Sequence, residues 1–205
     1  MACNICGFIP QAAEQNVRFH GAPMHKRIIA LILIGLASNV ATAATKGENQ
    51  ATSFANIYAS LCLKHLNNLE ALREKLKPMP KLPPEKASLF LAGDAGDAWP
   101  VPDKHGTFVL ALPAGKNVCT VHVRRADTVA AKKQFENLVA NAPSPLVAKQ
   151  VRNDQTQTAV NGPTQTVAYE WSVPNSPRKM LFTLTTAPSE AAQLQVLGSA
   201  AIISQ

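Results

Sequence analysis

A chain of 205 residues with 46% hydrophobic residues is long enough for one ordinary domain with a real core. Its formal charge of +7 is spread along the chain, with no Lys/Arg run and only 5% aromatics, and this pattern does not indicate a nucleic-acid surface. No G-x-S-x-G elbow, H-E-x-x-H, P-loop or dinucleotide fingerprint is present, so no cofactor, metal or catalytic residue is assigned.

The chain opens with residues 1–23, which fit no targeting pattern, followed by the basic segment Met24-His-Lys-Arg27 and the apolar run Ile28–Leu36. Ala41-Thr-Ala43 then matches the small-x-small cleavage rule, so residues 24–43 read as a secretory signal peptide cut before Ala44. The run is too short to span a bilayer, and no integral membrane segment is expected after cleavage. Residues 1–23 read as an upstream extension, with translation beginning at Met24. Cys3 and Cys6 form an isolated C-x-x-C, a weak zinc or redox signal without a second pair. Arg18, Lys26, Arg27 and Glu14 lie upstream of Ala44, so loss of three cations and one anion leaves a product of +5, residues 44–205, read as a single domain. Export places that product in the periplasm or outside the cell.

Cys62 and Cys119 are the cysteines that remain, and an oxidising compartment favours their pairing over two buried free thiols. The bridge would close a loop of about 57 residues and contribute on the order of 3–4 kcal/mol under the loop-entropy model.

Residues 45–52 read as a polar lead. A helix is expected from Ser53, its N-cap, to about Leu76, because Phe54, Ile57, Tyr58, Leu61, His65, Leu69, Leu72 and Leu76 step by three or four. His65 on that stripe reads as a packed histidine. Pro78–Pro84 is a connector, and Pro84–Leu91 reads as a short helix with proline in its first turn, stopped by Gly93.

The most distinctive loop follows, with Asp94, Asp97, Trp99, Asp103 and His105 close together. Clustered carboxylates suit a hard cation, but the spacing is not that of an EF-hand and no Glu closes the loop. Asp97 or Asp103 with His105 offers general acid–base chemistry. The plainer reading is a turn-rich crossover in which Trp99 plugs the edge of the core, since Asp and Gly are what tight turns require.

The organising stretch is Gly106–Ala142. Thr107–Leu112 and Val118–Val123 alternate as strands around the turn Pro113-Ala-Gly-Lys116. Cys119, Val121 and Val123 share one face, while Thr120, His122 and Arg124 share a wetter one. Asp127 is a good N-cap for a helix whose stripe is Ala131, Phe135, Leu138 and Ala142, ended by Pro143 and Pro145. Arg124 and Arg125 could hold an anion beside that helix start, although pairing with a carboxylate is the commoner fate. Four further strands are expected near 146–152, 164–173, 179–186 and 193–203, with Asn161-Gly162 as a turn and an Ala-rich 190–202 that could instead be helical.

Taken together, Cys62 in a helix, Leu82-Pro-Pro84 before Phe90-Leu91, Gly96-Asp97-Ala-Trp-Pro100, Gly106–Pro113 and Cys119-x-Val-x-x-Arg-Arg-Ala-Asp127 resemble a family of small exported proteobacterial envelope proteins, some of them lipoproteins and without an assigned activity. The chain lacks the lipid-box cysteine of the lipoprotein members. The resemblance implies a periplasmic or secreted location and transfers no catalytic residue.

The expected architecture is α+β, with N-terminal helices packed on an antiparallel sheet of about five to six strands and a hairpin plus covering helix at its centre. The expected function is non-enzymatic binding of an unknown protein or small ligand in the envelope. The candidate surface is Asp94, Asp97, Trp99, Asp103 and His105 with Arg124 and Arg125. The alternatives are a small envelope hydrolase using that loop and an accessory factor of envelope assembly or secretion.

Overall fold

In the computed structural model, which describes residues 44–204, the first helix starts earlier than the apolar stripe suggests. Thr45 and Glu48 form a reciprocal capping box that satisfies two free backbone N–H groups, so α1 runs over Lys46–Ile57 and the polar lead is helix. Ser53 is therefore an interior, buried residue rather than a cap. The chain continues as a π-helical stretch, Tyr58–Leu63, which turns Tyr58 and Cys62 into the core. The expected single helix to Leu76 is broken there: it stops after His65, and Asn68 caps a new helix, α2 (Leu69–Leu76), through its side chain and the Ala71 N–H. Leu66 rather than His65 is buried at the break. The readings of residues 1–43 as extension and signal peptide lie outside the described residues.

Pro84 starts the short helix α3 (Pro84–Ala87), which tightens into a 3₁₀ turn at Ser88–Phe90 before Ala92 and Gly93 reverse the chain with positive φ. Three strands follow: β1 (Gly96–Val101), β2 (Phe108–Pro113) and β3 (Val118–Val123). Helix α4 (Thr128–Val139) is capped by Asp127 as expected, with Ala131, Phe135 and Val139 buried. Four more strands complete the domain: β4 (Val147–Thr158), β5 (Gly162–Ser172), β6 (Arg178–Thr186) and β7 (Val196–Ser204).

Among the described residues the sheet has seven antiparallel strands in the order β1-β2-β3-β7-β6-β5-β4. This exceeds the expected five to six because part of the Asp/Gly-rich loop is itself a strand: β1 pairs along the whole of β2, from Gly96 opposite Pro113 to Val101 opposite Phe108. The sheet consists of two meanders. Helix α4 carries the chain from β3 to the far edge, and β4 to β7 return so that β7 closes against β3, with Val118 opposite Ala201 and Val123 opposite Val196. The Ala-rich 196–202 segment is strand because it fills that central gap.

Helices α1, α2 and α4 and the π-helical stretch cover one face. Phe54, Tyr58, Phe135 and the strand residues Leu110, Val121, Phe182 and Leu184 are buried there together. Gly198 lets α1 approach, since a Cβ at this position would lie 2.7 Å from the Phe54 ring. The Tyr58 hydroxyl donates to the Ser199 carbonyl at 2.7 Å. Cys62 and Cys119 form the expected disulfide, with Cα atoms 5.4 Å apart, tying the π-helical stretch to β3. Among the described residues the opposite face is covered by a helix at the β1–β2 end, where Ala87 and Leu91 pack on Ala98, Val109 and Ala111. No helix among the described residues is long and apolar enough to cross a membrane.

Candidate functional site

The residues singled out from sequence are distributed by the strand they flank. Asp94 pairs with Lys116 at 2.6 Å beyond one end of β1. Asp97 is held by Lys81 at 2.9 Å and lies 3.8 Å from Arg73, whose guanidinium also donates to the carbonyls of Leu112 and Pro113. Trp99 is 1% exposed, on the helix-covered face, with Lys81 over its ring. Asp103 and His105 sit beyond the other end of β1, about 17 Å of strand away from Asp94. There the Asp103 carboxylate accepts from the His105 backbone N–H, which closes a turn. The five residues therefore do not converge: each carboxylate is engaged in holding β1 or its flanking turns. Among the described residues no group of His, Cys, Asp and Glu is placed to hold a metal ion.

Arg124 and Arg125 diverge. The Arg125 guanidinium donates to the carbonyls of Arg124, Ala192 and Glu190, clamping the segment that leads into β7. Gln195 adds to that clamp, accepting from the Ala126 N–H and donating to the Ser189 carbonyl. The Asn161 side chain accepts from the N–H groups of Gln193 and Leu194. These contacts fix residues 190–195 as a wall.

Arg124 faces a cleft of about 470 Å³ bounded by that wall. Gln193 and Leu194 form one side, and Leu89 and Phe90 of the 3₁₀ turn the other. Thr107 and Val109 of the β2 approach, with His122 and Arg124 from the end of β3, form the floor and rim. Among the described residues Arg124 enters no ion pair. Leu89 is 77% exposed at the mouth.

His122 lies on the face that alternation marks as wet, yet it is 8% exposed. The Phe90 ring stands edge-on to its imidazole, with centroids 5.1 Å apart, and its Nε2 is 3.0 Å from the Thr120 hydroxyl. Burial pushes the imidazole pKa down to about 4, opposed by a hydrogen bond with the Phe90 backbone. The ring is therefore neutral at pH 7, and Arg124 is the one formal charge among the residues lining the cleft. Of the lining residues, the sequence marks Arg124 as a binding candidate and not Leu89, Phe90 or Leu194. The only signal for Phe90 was an apolar residue in a short helix, and nothing local says which strand that helix lies over.

Comparison with protein-family models, curated proteins and solved structures returned no match.

Proposed function

We propose that this is an exported, non-enzymatic binding protein that works in the periplasm or outside the cell and receives a ligand of the envelope in the cleft beneath Phe90. The observation that carries this reading is the cleft itself: apolar walls, one cation unpaired among the described residues, and a neutral buried histidine. Concave, mostly apolar pockets of this size with a few placed polar groups are the usual form of small-ligand sites. Binding is favoured over hydrolysis because Asp97, Asp103 and His105 are spread along β1 and engaged in its turns and ion pairs. The Cys62–Cys119 disulfide supports maturation in an oxidising compartment. The motifs within residues 54–142 that resemble small exported envelope proteins point to the same location.

The test uses the protein purified from the cell envelope. Native mass spectrometry after incubation with envelope extract should show a retained component on the wild type that is absent from Thr107→Trp, which fills the cleft mouth. N-terminal sequencing of the same material should begin at Ala44. A component retained equally by both proteins overturns the cleft as the binding surface, and recovery of a reduced, uncleaved chain from the cytosol overturns export.

A further inference from the structure

Resting on the binding reading above, we infer that the cleft takes a small singly charged amphiphile, a carboxylate at one end of an acyl-like apolar body. The walls set the apolar part. Leu89, Phe90, Val109 and Leu194 come from three separate segments of the chain and converge on one space. Leu89 is held out in water at its mouth, where an apolar ligand would cover it.

The charge sets the other end. Arg124 lines the rim, carries no ion pair among the described residues, and has no carboxylate beside it in the cleft lining. A guanidinium presents a planar fork of donors that matches a carboxylate in two parallel hydrogen bonds. A single cation balances a single negative charge. A dianion would keep one charge uncompensated against apolar walls, and a cationic amphiphile would meet repulsion. The neighbouring Arg125 does not add to the site, because its guanidinium is committed to the carbonyls of residues 124, 190 and 192. Thr107 and Gln193 supply uncharged hydrogen-bonding groups at the same rim.

The probes are decanoate, decanol and decyltrimethylammonium, each below its micelle concentration, titrated into the purified protein and followed by amide chemical shifts. Saturable decanoate shifts should centre on Phe90, His122, Arg124 and Leu194, with affinity about tenfold above that of decanol, the scale of one charge-assisted hydrogen bond. Arg124→Gln should bring decanoate down to the decanol value. Leu89→Ser, an exposed change that spares the core, should weaken both alike. Equal binding of decanoate and decanol by the wild type, tighter binding of the cationic probe, or shifts centred elsewhere overturns the inference. If no probe binds but Thr107→Trp still loses the envelope component, the ligand class fails while the binding reading stands. If that component is also retained by the variant, both fail.

Discussion

The two faces of the sheet are built on different terms. On the helix-covered face, large side chains from α1, the π-helical stretch and α4 interlock with Val121, Phe182 and Leu184, all nearly inaccessible. On the other face, beyond the patch under α3, the strands present Leu181, Thr183, Leu197 and Ser199 half-exposed. Paired hydroxyls (Thr166 with Thr185) and an ion pair (Lys179 with Glu170, 3.0 Å) replace an apolar cover there. Small and hydroxylated residues that satisfy one another across strands tolerate partial exposure to water. The first face carries the stability. The second face carries the cleft, at the boundary where its partial cover ends.

The largest expected effect lies on the covered face. Phe182→Ala removes a ring that packs 4.7 Å from the Trp171 ring and should destabilise by about 3–5 kcal/mol in denaturant unfolding. Replacing Cys62 and Cys119 together by Ala should cost about 3–4 kcal/mol by the same measurement, since the bridge closes 57 positions of chain. An unfolding midpoint unchanged by either substitution would show that the helices are not the principal support.

His122 sharpens the comparison, because it is a buried titratable residue on the less covered face. Above about pH 6.5 the ring is neutral in the folded and unfolded chain, and its contribution is fully present. As pH falls from 6.5 toward 4 the unfolded ring takes a proton that the folded ring refuses, so stability drops, and below 4 no further loss arises from this group. The displacement corresponds to about 3 kcal/mol. Denaturant melts at pH 7 and pH 4.5 should therefore differ less in His122→Gln than in the wild type. An equal difference in both would mean that the Phe90 turn does not seal the ring from water. Thr183→Val, on the uncovered face, should move stability by no more than about 0.5 kcal/mol, and a core-sized loss there would show that this face is covered after all.

Much of the first face could be read directly from the chain. Alternation over 118–123 and 180–184, the helical stripe through Ala131 and Phe135, and the Asp127 cap are short-range patterns, and each is matched by a structural element. The break near His65 could not be read this way. The apolar spacing continues across it, and only the capping groups of Thr45 and Asn68 locate the true starts. The strand β1 was obscured because Gly96 and Asp97 are turn residues by composition, and pairing with β2 is what makes the segment extended. Of the candidate site, Arg124 was legible as a basic residue at a strand end. Its separation from Arg125 was not, because it depends on carbonyl groups 65 and 67 positions away.

By itself, the order of residues determined the Asp127 cap, the inward faces of β3 and β6, and the cysteine pair available for bridging. Each of these depends on neighbours a few positions apart or on there being two cysteines after residue 43. Only the tertiary structure decided that β7 fills the gap beside β3, that Phe90 lies over His122, and that Arg124 is left facing a cleft. Those outcomes rest on contacts between segments distant in sequence, which no local period encodes.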